Sequence, residues 1–437
     1  MAFPSHVAQA MRLPSRTAIG WRRFTSRHGL LLAAVLCLFA NTLIAAETLP
    51  GRSVESIRTW LIEHNPELRA MALEAEAARA RIVPAGALPD PSAGIALRGL
   101  DPGQPWRGTE TREIVYSLRQ QFPLWGKREL ARSGARLEAH ATELDREATA
   151  RDLLAEAESA YVRYWHADQA VAVLDRRIAL LRQVEEMAGV RYALVLAAQQ
   201  DSIRAQLEQT NMQGERIARL AAKREAIAML NTVLGRSTDE PLAPPASIPL
   251  IPVPEETRPN LQPTAVHPAV FAQQVRAEAA RTNAELQRRK RLPDVTLGIG
   301  AMQRGGGMES VELMLEVEIP FQQRARRERE REANLLEQAA LKRAEAIRLG
   351  LGGRAATART QWTSARERRR LIEKILLPQA NATYQSALAS YQVGEVDFGT
   401  LLEALNEWQG ADLARVDALR DELLGAAAVR AVEGEIP

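Results

Sequence analysis

Proline is absent from two long spans of this chain, between Pro123 and Pro241 and between Pro320 and Pro378. A proline costs about 3 kcal/mol inside a helix, so such spans are free to form helices of unusual length. Nine of the 23 prolines crowd instead between Pro241 and Pro268. That crowding reads as a linker at 241–266 joining two halves.

The two halves repeat one pattern at an offset of roughly 200 residues. Asn65-Pro66 and His267-Pro268 each open an Ala- and Glu-rich helix, which ends at Pro89-Asp90-Pro91 in the first half and at Pro293-Asp294 in the second. Two strand-like segments around a Gly-rich or polar turn follow. Each second strand closes on Phe122-Pro123 or Pro320-Phe321, and a long helix begins. Tyr192…Ala205 and Tyr391…Ala404 then mark a break before a return helix. The expected fold is therefore mainly α with a β part, helix-strand-strand-helix-helix written twice. The first repeat is set at 47–240, with strands at about 91–100 and 112–122 and helices at about 127–234. The second is set at 267–437, with strands at about 294–302 and 310–320 and helices at about 323–430.

The strand segments alternate with period two. Val311, Leu313, Leu315, Val317 and Ile319 lie opposite Glu312, Met314, Glu316 and Glu318. Ile114, Tyr116, Leu118 and Phe122 lie opposite Glu113, Ser117, Arg119 and Gln121. About ten residues suits a tilted membrane-spanning strand, and equally a surface hairpin with one face on a soluble core. The helices carry a different period. Leu153, Ala157, Ala160, Tyr164, Ala167, Val171, Leu174, Ile178 and Leu181 step by alternating four and three residues. This 3.5-residue repeat predicts a left-handed coiled coil. A helix from about Lys127 to Gly189 would be roughly 95 Å long. Partner surface for so long a rod is short within one chain, which points to self-association over a monomeric hairpin. Gly350-Leu351-Gly352-Gly353 is expected to weaken the helix it interrupts.

Residues 1–46 carry five arginines and no acid, followed by the apolar run Leu30–Ala40 and the small pair Ala45-Ala46. This is the pattern of a secretory signal. Cys37, the only cysteine, lies in that run; bulky Leu36 before it argues against a lipid anchor. Without the signal, the five arginines leave the 57 basic residues, and the 54 acids slightly outnumber what remains. Nucleic acid is thereby disfavoured as a partner. His64, His140, His166 and His267 have no metal-ligand spacing, and no phosphate loop, dinucleotide fingerprint or nucleophile elbow occurs. The expectation is no enzyme, no cofactor and no metal site. Met302, Met308 and Met314 suit soft metals in principle, but read better as packing.

At these residues the chain resembles the TolC-like outer-membrane efflux protein family. Asn65-Pro66-Glu67-Leu68, Pro89-Asp90-Pro91, Pro378-Gln379-Ala380 and Tyr391-x-x-Gly394…Leu401-Leu402-x-Ala404 carry the likeness. Gln121-Phe122-Pro123-Leu124-Trp125-Gly126-Lys127-Arg128 is most similar to the heavy-metal (CzcC/CusC-like) branch. The resemblance implies a homotrimer in the outer membrane of a Gram-negative bacterium, with a large periplasmic part. Four strands per chain would build one twelve-stranded barrel, and long coiled-coil helices a periplasmic α-barrel. Its partners would be outer-membrane lipid, a periplasmic adaptor (membrane fusion protein) and an inner-membrane proton-driven pump. It implies efflux of heavy-metal cations, with drug efflux or secretion as alternatives. A periplasmic coiled-coil scaffold is a further class, without duplicated amphipathic strands.

In this frame Arg98, Glu113, Arg119, Glu312, Glu316 and Glu318 would line the barrel lumen. The periplasmic gate would sit at the helix-hairpin tips, with acidic positions at Asp201 and Glu403. Thr400 stands where the family has a second acid. Val396 stands where it has the basic partner of Asp201, and Val195 where it has a tip glycine.

Overall fold

The computed structural model describes residues 49–99, 113–195, 198–253 and 267–433. The signal with Cys37, the first hairpin end at 100–112 and the linker residues 254–266 lie outside them. All the elements below belong to one unit, Pro50–Pro437. They run α1 (Val54–His64), α2 (Pro66–Ala80), a short α3 (Ile82–Ala85), β1 (Ser92–Arg98) and β2 (Glu113–Phe122). There follow α4 (Lys127–Ala193), α5 (Gln199–Val233), α6 (Pro268–Arg289), β3 (Asp294–Arg304) and β4 (Gly307–Glu318). The chain ends with α7 (Gln323–Leu371), a π turn (Ile372–Leu376), α8 (Leu377–Val393) and α9 (Phe398–Glu433). The result is the mainly helical fold with one antiparallel sheet, ordered β1-β2-β3-β4, that the doubled pattern implies.

Both repeats begin with the same device. Asn65 caps α2, its Oδ1 accepting from the Glu67 and Leu68 amides at 2.8 and 3.1 Å, and Pro66 fills the first turn. His267 caps α6, its Nδ1 accepting from the Ala269 amide at 3.2 Å, with Pro268 in the matching place. Such caps satisfy amides that the first turn leaves unpaired.

The 67 residues of α4 span roughly 100 Å at ~1.5 Å per residue. Eight of its nine heptad positions, Ala157 to Leu181, are buried, and the stripe continues through Val184 and Ala188. α4 packs against α5, α6 and α9. Near its far end Leu181, Leu401, Leu405 and Phe398 close a core with Tyr384 and Tyr391. Each such side chain contributes about 1.5–3 kcal/mol by leaving water. Small residues set the helix spacing: a Cβ on Gly425 of α9 would lie 2.8 Å from Trp362 Cα on α7. A buried carboxylate, Glu158 on α4, ties α1 and α9 together through Arg58 at 2.6 Å and Arg430 at 3.1 Å. Burial raises the pKa of Glu158 and outweighs the pull of Arg58.

Two helix-breaking signals in the second repeat leave the helix continuous for identifiable reasons. α7 runs unbroken through Gly350–Gly353, because Leu351 docks into a small core with Val270, Ala355 and Val432. Tertiary burial outweighs the propensity cost. Helix also continues through Pro378. The π turn, in which the Leu377 amide reaches Ile372 O, inserts one residue and absorbs the missing proline N–H.

His267 is only 3% exposed. Burial first, then Arg151, pushes its pKa below the ordinary histidine value, while Asp152 and a backbone hydrogen bond with Ala431 act the other way. The neutral ring is the form that caps α6. The unfolded chain therefore binds a proton the folded chain resists. The cap's stability is complete above about pH 6.5 and is lost as pH falls below it. In His267→Asn, an oxygen replaces the titrating cap. Its melting temperature should fall less than that of the unaltered chain between about pH 7 and pH 5.5. Parallel melting curves would show that the cap does not titrate.

Candidate functional site

Residues opposite one another in neighbouring strands share a face of the sheet, so the pairing sorts every side chain. Ala93, Leu118, Ile299 and Leu313 form one row across all four strands. Ile95, Tyr116, Ala301 and Val311 form the next, and Leu97, Ile114, Gln303 and Met308 a third. Toward the helices the same face continues with Leu297 and Leu315, then Phe122, Val295 and Val317. No described element covers it: Ile95 is 72% and Leu313 88% exposed. An apolar area of this extent, at roughly 25 cal/mol per Å², does not stay in water.

The opposite face is polar, and all six lumen candidates lie on it. Arg98 pairs with Glu113, and Glu113 with Arg304; Arg119 pairs with Gly298; Glu312 pairs with Gly300, Glu316 with Thr296 and Glu318 with Asp294. Arg304 bridges Glu113 and Glu309, and Gln121 donates to Glu318 at 3.2 Å. Val115 departs from simple alternation: it lies buried on this polar face, beside Met302 in the register. Met302 and Met314 share the polar face, whereas Met308 falls on the apolar one beyond an irregularity at Met302/Gln303, so the three do not converge. Among the described residues no group of His, Cys, Asp and Glu could hold a metal ion. No described helix is long and apolar enough to cross a membrane.

All four strand–helix junctions leave one end of the sheet, and a clamp joins the two repeats there. Asp294 accepts from the Leu124 amide at 2.9 Å and meets Lys127 Nζ at 2.8 Å. Trp125 Nε1 donates to Pro293 O at 2.7 Å, and Arg289 Nη1 donates to Trp125 O at 2.7 Å. Trp125 adopts φ 63°, a strained backbone for any residue but glycine, which these bonds hold in place.

The opposite ends of the long helices form the tip. Thr400 donates its hydroxyl to Asp397 Oδ1 at 2.8 Å, and its amide donates to the same oxygen at 2.8 Å. It belongs to the cap of α9. Glu403 is exposed one turn on and forms no ion pair among the described residues. Asp201, on the first turn of α5, feels Arg204, Asp397 and Arg191; burial raises its pKa and Asp397 adds to the rise. Val195 takes φ 60°, so the tip keeps a left-handed backbone without a glycine to relieve it.

The contact that sequence reading missed is Arg191. From α4 it donates to Tyr391 O and Gln392 O, both at 2.8 Å, and stacks 4.9 Å over the Tyr391 ring. Those carbonyls end α8, where a cation also meets the negative pole of the helix. Arg191 thus joins the two hairpins, although Val396 offers Asp201 no base. No local pattern signals a contact 200 residues apart. Asp397 was findable, since an Asp just before an apolar helical run is a favoured N-cap.

Residues 264–435 match the outer membrane efflux protein family. The outer-membrane channel OprN superposes with a TM-score of 0.73 at 19% identity, over 87% of this chain and 89% of its own. CusC, a transmembrane channel, gives 0.75 at 16%, over 89% and 94%. The open-state outer membrane channel MtrE of Neisseria gonorrhoeae gives 0.74 at 17%, over 89% and 90%. No curated protein sequence matches the chain. The second repeat thus matches the model of that family, and nearly nine-tenths of the chain shares the fold of these solved channels.

Arg191→Gln should free the end of α8. Hydrogen exchange at the Gly394 and Glu395 amides, which bond to Tyr391 O and Ser390 O, should quicken about ten-fold, as for loss of a charged hydrogen bond. Exchange in the middle of α7 should not change. Equal rates in both proteins would remove Arg191 from the clamp.

Proposed function

We propose that this chain is the outer-membrane channel of a tripartite efflux system and works as a homotrimer. One observation carries the reading: a four-stranded sheet with an uncovered apolar face, a charged opposite face and two open edges. Inside a bilayer every backbone group must be paired, so an open sheet cannot remain there alone. β1 and β4 run in opposite directions, so joining β4 of one copy to β1 of the next keeps the sheet antiparallel. Three copies would close twelve strands, with the apolar rows on lipid and Glu113, Glu312, Glu316, Glu318, Arg98 and Arg119 around water. The helices would continue the passage through the periplasm to an adaptor and a proton-driven inner-membrane pump.

Acids outnumber bases among those six lumen residues, which favours cations in the pore. This supports heavy-metal cations as cargo. At the far end Glu403 from three copies would form the constriction, with Asp201 beside it and Thr400 holding the turn through Asp397.

Two neighbours on β4 separate the faces. Leu313→Arg should abolish assembly in the outer membrane, at a cost of about 2–4 kcal/mol near the bilayer midplane. Glu312→Gln and Glu403→Ala should assemble as detergent-resistant trimers but lower the cation preference of single channels. Normal assembly of Leu313→Arg, or a soluble monomer from the unaltered gene, would reject the channel.

For the cargo, deleting the gene should reduce tolerance to copper, silver, zinc, cobalt or cadmium while leaving dye and antibiotic tolerance unchanged. The reverse pattern would assign the channel to drug efflux.

A further inference from the structure

The base of the sheet is layered. Beyond the last apolar row, Ile319 and Phe321 follow the end of β4, and Phe321 is 85% exposed. Leu124, Trp125 and Leu292 are exposed at the neighbouring junctions. Apolar and aromatic side chains thus rim the sheet just where the helices begin, as at a bilayer interface.

The next layer is cationic. Residues 285–291 and 323–331 hold nine Lys and Arg against three Glu. The cations that face α6 are occupied. Arg288 and Arg291 meet Glu330 at 3.3 and 3.1 Å, while Arg326 bonds Lys290 O and lies 3.8 Å from Glu318. Arg324, Arg327 and Arg331 form a different stripe, spaced i, i+3, i+7 on α7. It points away from Arg326, Glu330 and buried Ala333, and all three arginines are exposed. Arg331 has only Glu328 at 4.0 Å, both well exposed, a pair of negligible strength. Arg324 and Arg327 form no ion pair or hydrogen bond among the described residues. The surrounding field is positive: after burial, Arg329, Lys127 and Arg326 push the Lys290 pKa down. At ~1.5 Å per residue the stripe lies within about 12 Å of the start of α7, which begins just past the end of β4.

We propose that Arg324, Arg327 and Arg331 form a binding surface for anionic phospholipid headgroups of the leaflet at the helical end of the sheet. It rests on the reading of the sheet as membrane-spanning. Three exposed, uncompensated guanidinium groups directly below an aromatic rim match the depth and charge of a phosphodiester layer. The choice of lipid over a soluble anion follows from that rim: a headgroup bound there leaves its acyl chains against Phe321, Ile319 and Val317.

The test uses the full chain reconstituted in phosphatidylcholine vesicles, with spin-labelled phosphatidylglycerol or phosphatidylcholine as probe. An immobilised signal from labelled phosphatidylcholine establishes insertion; its absence would sink the membrane reading itself. With insertion established, phosphatidylglycerol should be preferred on the order of three-fold. The preference should vanish in Arg324→Gln/Arg327→Gln/Arg331→Gln and in about 1 M salt, where screening is short. Arg176→Gln/Arg216→Gln, well down α4 from the sheet and at the middle of α5, should keep it. No preference in the unaltered protein, or full preference in the triple variant, would overturn the proposal. Loss of preference with inorganic phosphate but not with chloride of equal ionic strength would overturn it too, by assigning the stripe to a soluble anion.

Discussion

The governing constraint is a sheet that its own chain cannot finish. Four strands pair in order, yet no described element packs on the rows through Leu313 and Ile95 or pairs with either edge. A soluble protein would lay a helix over such a face. Here each long described helix leaves from one end of the sheet and none returns across it, so no described element supplies the cover. In the channel proposed above, lipid covers the face and further copies pair the edges.

The remaining architecture follows from keeping the two repeats aligned along α4. At its start, Asp294, Pro293 and Arg289 of the second repeat grip Leu124, Trp125 and Lys127 of the first. At its end, Arg191 reaches over to the last carbonyls of α8. Between them, the core around Leu181, Leu401 and Phe398 fills the seam, and Glu158 fixes α1 and α9 to its middle. The helices therefore link the strands to the tips over roughly 100 Å.

The large features were legible because they are periodic. Proline gaps announced the long helices, the four-three stepping from Ala157 to Leu181 announced the seam, and alternation in 311–319 announced a strand with unlike faces. Contacts between the halves were not legible. Nothing near Arg191 mentions Tyr391, and nothing near Trp125 mentions Pro293, because such pairs arise only when two distant segments meet. Local rules also misjudged places where packing overrules propensity. Gly350–Gly353 remains helical because Leu351 is buried, and Val115 lies on the polar face although its type suits the other. Parity alone set Glu113, Arg119, Glu312, Glu316 and Glu318 on the polar sides of their strands, whereas the contact of Thr400 required seeing Asp397.

The π turn at Ile372–Leu376 has a consequence for symmetry. One surplus residue turns everything downstream by about 100° relative to an uninterrupted helix. The rod presents a new side: before the turn it packs on α6 and, through Trp362, on α9, and after it Tyr384 and Tyr391 enter the core around Leu181 and Leu401. α4 has no such insertion. The two repeats are consequently unequal in angular phase, and a ring of three chains would have true threefold symmetry below the sheet, with only approximate sixfold order among its rods.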